Sequence, residues 1–365
     1  MTQDRSLDQA LDRIQPRDIA SVPPLTSSSV SLTPRASYLV GRIQMASRTF
    51  TLFVLLATVC LCPSTSADDS ATEAPDRSGE LRFTLDELEL RTQWSGLDDQ
   101  QAGKIIRGKL NGLARAAHAY YDANGVFPPA VVPNATIPAD KRLSGLVLLL
   151  PHLRRLTYAK GGKEGSDKII DDQQRDMAQT LFDSIDLTKG WDDPANIKAS
   201  KTIVPAFLAP GSAPFRDQYG YATSHFAFVR GAQGRDDGAF PEAGGTTMGG
   251  GKAMIADGLS QTLAFGEIQN ELGPWTAAGL STARYVYHPT DRPTVSTFGG
   301  SFDGACYFAT CDGAELFLDI ARTPARALHA LATRDGGDYD ELKSVIRFRD
   351  ATEWMAANRN AKPPN

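Results

Sequence analysis

The chain of 365 residues, 41% hydrophobic and 22% charged, has the composition of a folded protein and the length for one large domain or two average ones. A formal net charge of -5 is small for that length and argues against a nucleic-acid backbone or an anionic membrane surface as partner. With 32 glycines and 22 prolines the chain turns often, which suits a loop-rich sheet better than a helical bundle.

Residues 1–44 carry Pro16, Pro23, Pro24 and Pro34 and a Ser/Thr cluster with no sustained apolar period. They read as disordered, or as lying ahead of the true start at Met45. From Met45 the pattern is that of a secretory signal peptide over 45–67, with Arg48, an apolar run from Phe50 to Cys62, and small residues at Thr65 and Ala67. The run is too short for a stable transmembrane helix, so export with cleavage after Ala67 is expected. The rival reading is a degenerate prepilin leader, with Thr49 where a glycine is usual, Val54 where a glutamate is usual, and Pro63 ending the run early. Lipoprotein anchoring fits less well, because Ala57 stands three residues before Cys60 and Leu61 directly before Cys62. Residues 68–97 form an acidic linker and a short element, Leu81 to Arg91, that suits either strand or helix.

The strongest helical signal follows, from Asp98 towards Asn124. Ile106, Leu110, Leu113, Ala117, Tyr120 and Tyr121 share one face, with Lys104, Arg115 and Asp122 opposite and Arg107 on the flank. Ser95 is the expected N-cap, Asp98 and Asp99 complement the helix dipole, and Asn124, Gly125, Pro128 and Pro129 stop the helix. Gly145 to Leu150 is an apolar run readable as strand or helical turn, Thr157 to Asp172 a solvent-facing stretch, Asp176 to Asp186 a helix, Gly190 to Pro194 a turn, and Ile203 to Leu208 an extended segment. Strands are expected at Tyr221 to Arg230, Thr262 to Ile268 and Arg284 to His288, with a Gly-rich loop of mobile or functional character from Gly231 to Gly251. A hairpin spans Ala305 to Asp319 with a two-residue Asp312–Gly313 turn, pairing Ala309 with Leu316, Phe308 with Phe317 and Tyr307 with Leu318. Helices are expected at Arg322 to Thr333 and Glu341 to Arg359. The domain proper is drawn over 98–340, with 341–365 as a C-terminal helical extension.

Chemistry is sparse. The chain has no Gly-x-x-x-x-Gly-Lys-Ser/Thr loop, no His-Glu-x-x-His, no Gly-x-Ser-x-Gly and no Cys-x-x-Cys. Gly244, Gly245 and Gly249 to Gly251 suit a flexible loop better than a phosphate cradle. Asp236 and Asp237 are the candidate metal ligands, for calcium, although their spacing is also that of a solvated turn. His118, His152, His225, His288 and His329 are scattered, so no metal site can be assembled from them. Glu267 interrupts an apolar strand; it is either a buried anchor, whose replacement by Gln would cost stability, or part of a cleft. Trp191, Trp275 and the loop from Arg235 to Gly251 are the candidate ligand-binding surface, together with Glu267. Cys306 and Cys311 have opposite strand parity and are expected as free buried thiols.

Several stretches in order, KLNGLARAAHAYYDANGVFPPA, LSGLVLLLPHL, GWDDPANIKASKTIVPAFLAPGS, IADGLSQTLAFGEI and CDGAELFLD, resemble the secreted pilin-like family of unknown function abundant in planctomycetes. The likeness covers Lys104 to Asp338. The family's terminal His-x9-Asp-Gly motif is matched at Asp312 and Gly313, but Phe302 stands where the His belongs. The resemblance implies an α+β fold with one main helix laid on an antiparallel sheet, an envelope location, and no established enzymatic activity. The expectation is therefore an exported envelope or surface structural protein, periplasmic, cell-surface or extracellular, without cofactor, with envelope or secretion-system proteins as partners. The alternatives are an extracellular polymer or glycan-binding module, and third a hydrolase, which a cleft joining Glu267 to a histidine would favour.

Overall fold

The computed structural model describes residues 87–153, 176–211, 213–242, 244–249, 254–287, 298–300, 302 and 304–358. The chain divides into two units, Met1–Ala71 and Thr72–Asn365, and every described residue belongs to the second. The 1–44 segment, the leader, the 68–79 linker, the 157–172 stretch, Gly250, Gly251 and His288 lie outside the described residues.

Residues 87–94 are helical, so the described part of the Leu81 to Arg91 segment is helix. Helix α1 runs Asp99–Asn124. Its cap is Asp98, not Ser95: the Asp98 carboxylate accepts the Gln101 N–H at 2.7 Å while the Gln101 side chain accepts the Asp98 N–H at 3.0 Å. Ser95 donates instead to the Thr92 carbonyl, 2.8 Å away. At the far end Gly125, with φ 74°, returns its N–H to the Tyr121 carbonyl at 2.7 Å. Ile106, Leu110, Leu113 and Ala117 are buried as the periodicity requires, whereas Tyr120 and Tyr121 are only half-buried.

After α1 come one helical turn α2, Leu146–Leu149, and a short helix α3, Pro194–Ser200, capped by Asp193. The Ile203 to Leu208 segment contains a 3-10 turn, Pro205–Phe207, where an extended segment was expected, because Pro205 starts a tight turn readily and cannot donate to a ladder. Six strands follow: β1 Phe226–Ala232, β2 Leu263–Glu267, β3 Ala283–Val286, β4 Ala305–Thr310, β5 Glu315–Asp319 and β6 Arg347–Phe348. They form one sheet in the order β3-β1-β2-β4-β5-β6. All neighbours are antiparallel except β1 and β3, which are parallel, so the sheet is mixed where an antiparallel one was expected. The fold is α+β.

Helices cover both faces of the sheet. Phe226, Phe228, Phe265, Tyr307, Ala309 and Phe317 point into the core that holds α1. Ala227, Val229, Leu263, Cys306, Phe308 and Leu318 form a second core with Leu328 and Leu331 of α4, Ala325–Ala332. This alternation is why the strands read as nearly continuous apolar runs. Cys306 and Cys311 are free and buried and lie in different cores, as their parity requires.

The β4–β5 register differs by one residue from expectation: Phe308 faces Leu316, Tyr307 faces Phe317 and Cys306 faces Leu318. The connection is three residues long, closed by the Gly313 N–H on the Thr310 carbonyl and the Thr310 N–H on the Ala314 carbonyl, each at 2.9 Å. Gly313, at φ 87°, supplies the left-handed residue such a loop requires. The single helix expected from Glu341 is likewise replaced by three elements: a 3-10 turn Glu341–Ser344, strand β6, and helix α5, Ala351–Asn358. The extension thus completes the sheet edge and packs beside α1, with Trp354 6.0 Å from Phe317. Nor is 231–251 a free loop throughout. Phe240 is fully buried, its ring 5.0 Å from Phe228 and 5.3 Å from Phe265.

The approach of α1 to the sheet is closest at Gly103, where a Cβ would collide with the Tyr307 hydroxyl, itself held by the Ala351 N–H at 3.0 Å. On an open helix Gly→Ala stabilises by about 1 kcal/mol. Gly103→Ala is expected instead to cost about 1–3 kcal/mol, and the cost should shrink in a Tyr307→Phe background. Equal losses in both backgrounds, measured by chemical denaturation, would refute the close-contact account.

Candidate functional site

Glu267 ends β2 opposite Phe226 and is 1% exposed. Burial pushes its carboxyl up to about 7, and the Tyr307 N–H, which it accepts, pulls the other way. Its Oε2 has no hydrogen-bond partner among the described residues, and a Cβ at Gly300 would overlap the carboxyl group. The carboxylate is therefore enclosed by the 298–300 segment and by β4, not presented to a cleft. Cys306 lies near enough for Glu267 to join burial in raising its thiol well above the ordinary value.

A second buried ionisable group was not singled out from the sequence. Lys109 of α1 is 7% exposed and hydrogen-bonds the Pro205 carbonyl. Its Nζ lies 5.0 Å from the Trp94 ring centre, and burial lowers its amine to about 7. Nearby His225 is 1% exposed: its Nδ1 accepts the Ala209 N–H at 3.0 Å and its Nε2–H donates to the Pro214 carbonyl at 3.1 Å. Burial lowers His225 to about 4, so the ring stays neutral in one tautomer. The signal for Lys109 was in the pattern, since a lysine three residues after Ile106 and one before Leu110 borders the apolar stripe.

The other described histidines, His118, His152 and His329, sit among packing contacts. His118 hydrogen-bonds the Cys311 carbonyl and stacks edge-on against Phe127 at 5.3 Å, while Asn111 donates to the Gly313 carbonyl at 2.8 Å. Together they pin the β4–β5 turn to α1. His152 stacks on Tyr120 at 5.7 Å and His329 lies half-buried on α4. Phe302 packs against Phe317 at 5.5 Å and Trp354 at 5.9 Å, an aromatic cluster in which an imidazole would lose apolar contact.

The two aspartates proposed for calcium are already occupied. Asp236 pairs with Arg230 at 3.0 Å and accepts the Glu242 N–H at 2.7 Å; Asp237 pairs with Arg235 at 3.3 Å and accepts the Ala232 N–H at 3.0 Å. Among the described residues no cluster of His, Cys, Asp or Glu is arranged to hold a metal ion.

Trp275, expected on a binding surface, is fully buried, its Nε1–H donating to the Thr202 carbonyl at 2.9 Å and its ring 5.4 Å from Phe207. It cannot touch a ligand without unpacking the core. Trp191 is half-buried and its Nε1–H donates to the Asp140 carbonyl at 3.0 Å. Its ring meets Tyr221 edge-on at 5.4 Å, with the Lys141 ammonium 5.5 Å from the Trp191 ring and the Lys201 ammonium 5.7 Å from Tyr221. Tyr219, two residues from Tyr221, is 71% exposed. The structure thus separates the residues the sequence grouped: Glu267 and Trp275 are interior, and Trp191 borders a surface with Tyr221. Arg284 is a further interior pin, its guanidinium donating to the Leu280 carbonyl and to both Asn270 oxygens.

No protein-family model, curated protein or solved structure matches the chain.

Because folding raises the Glu267 pKa from 4.5 to about 7, the folded state holds its proton more tightly, and stability falls as pH rises between those values. Gln cannot ionise. The stability of Glu267→Gln relative to the parent should therefore improve by about 3 kcal/mol between pH 4.5 and pH 7.5, the reverse of a simple anchor loss. A pH-independent difference in denaturation midpoints would show that the carboxyl does not ionise in an enclosed site.

Proposed function

We propose that the chain is an exported, pilin-like structural component of the cell envelope or surface, without catalytic activity of its own. The observation that carries this reading is the placement of α1. A 26-residue helix with a closed capping box at its start lies on the sheet, and its polar side chains Lys109, Asn111 and His118 reach out to fasten the surrounding loops. Of the polar groups near the interior, Lys109, Asn111, His118 and Arg284 are engaged by backbone or side-chain oxygens of the loops around the sheet. A leader ahead of such a spine fits delivery to the envelope, and no helix among the described residues is long and apolar enough to cross a membrane.

Cell fractionation with N-terminal sequencing tests the reading. The protein is expected in the periplasmic, surface or extracellular fraction beginning at Asp68. A start at Phe50 would replace signal cleavage with prepilin-type processing, and an unprocessed chain in the cytosol would overturn export altogether.

A second reading, an extracellular polymer or glycan-binding module, is favoured by one observation, the Trp191–Tyr221 pair with its two flanking lysines and exposed Tyr219. Sedimentation with insoluble polysaccharides should then retain the parent chain and lose Trp191→Ala by at least about tenfold in affinity, the scale of one aromatic platform. Equal retention of both would remove this surface from consideration.

A further inference from the structure

Lys109 is covered by the helical segment 87–94. That segment packs Leu90 and Trp94 on the main core, sets Trp94 edge-on to Phe215 at 5.6 Å, places the Arg91 guanidinium 4.5 Å over the Phe215 ring, and pairs Glu87 with Arg216 at 3.2 Å. Trp94 itself covers the Lys109 amine. Behind this layer are the Pro205 carbonyl, Phe215 and His225, with the Phe215 and His225 rings 5.9 Å apart.

The charges around the amine do not compensate it. Arg91 lies over the Phe215 ring in the same layer, and His225, at the entry to β1, is neutral above about pH 4. Glu87 is held by Arg91 at 3.0 Å and by Arg216, so it is directed to those two guanidinium groups. No carboxylate pairs with Lys109 among the described residues. A protonated Lys109 keeps the Pro205 carbonyl and the Trp94 ring as partners, but it forfeits most of its hydration. The least costly route to water is local: lifting 87–94 exposes the amine while the sheet stays intact.

We infer that residues 87–94 form a strap that closes over the neutral Lys109 amine and loosens when that amine is protonated. The open strap leaves Lys109 in water, with the ordinary lysine pKa of 10.5, whereas the closed strap lowers it to about 7. The open form thus binds more protons between those two values. Opening becomes more favourable as pH falls from 10.5 towards 7 and levels off below it. His225 titrates below this window, and Glu267, at its lower edge, is enclosed by the 298–300 segment and β4 and has no contact with 87–94 among the described residues. The consequence is a segment adjoining the acidic linker whose attachment to the domain is set by pH on the alkaline side of neutrality.

Trypsin cleavage after Arg91 in the full chain reads the strap directly. Followed by mass spectrometry and normalised to a peptide substrate at each pH, cleavage should be about fiftyfold faster at pH 7 than at pH 9 in the parent chain. Lys109→Met keeps the packing without the charge, and its cleavage should be slow at both pH values. Trp94→Ala removes the cover, and its cleavage should be fast at both. Equal rates at pH 7 and pH 9 in the parent, or an undiminished pH response in either variant, would overturn the strap. If Lys109→Met fails to fold, the parent and Trp94→Ala still decide between these outcomes.

Discussion

Burial of one stripe on α1 governs the rest of this structure. Ile106, Leu110, Leu113 and Ala117 enter a core floored by Phe226, Phe228, Phe265, Tyr307 and Phe317. Removing an apolar area of that extent from water is the largest favourable contribution available to such a domain. Once α1 is seated, its borders decide where the loops can go. Asn111 and His118 hold the β4–β5 turn, Lys109 holds the Pro205 turn, and Gly103 lets Tyr307 come close enough to receive the Ala351 N–H. The C-terminal helix is thereby docked by the same spine, through a strand residue lying between them.

The sheet is buried on both sides, and this makes its polar residues expensive. Arg284 offsets its desolvation with hydrogen bonds to Asn270 and Leu280, His225 by remaining neutral between a donor and an acceptor, and Asp257 by accepting the Gly336 and Gly337 N–H groups at 2.7 and 2.9 Å. Glu267 and Lys109 are less completely matched. One lies at the end of β2 and the other on α1 beneath Trp94, and burial displaces each towards its neutral form. Neither group needs the other to remain uncharged near neutrality.

The parts legible in the sequence were those set by short-range pattern. The stripe of α1, the stop at Gly125, the strands around Phe226, Leu263 and Ala305, and the separation of Cys306 from Cys311 all follow from periodicity or parity. What was not legible depended on partners distant along the chain. Trp275 reads like a surface aromatic until Phe207 and the Thr202 carbonyl are brought to it. Phe240 lies in a glycine-rich stretch whose composition gives no hint of an aromatic core. The β4–β5 register turned on one extra loop residue, Cys311, which local composition does not distinguish from a strand end. The parallel pairing of β1 with β3 follows from sheet topology alone. In the candidate site, the isolation of Glu267 was visible as a carboxylate on an apolar strand, while the trapping of Lys109 depended on Trp94 lying over it.

The bond from Asn111 to Gly313 joins residues 202 positions apart, and this spacing bears on how the protein is made. A chain emerging from its N-terminus presents the stripe of α1 long before β4 and β5 exist to cover it. The helix can form early, but its burial awaits the last third of the polypeptide, so folding is dominated by distant contacts and is correspondingly slow. During that interval the stripe is a hydrophobic surface without a partner, open to holding factors that bind unfolded chains. The order of its own elements thus keeps the chain from completing its core until most of it has been made.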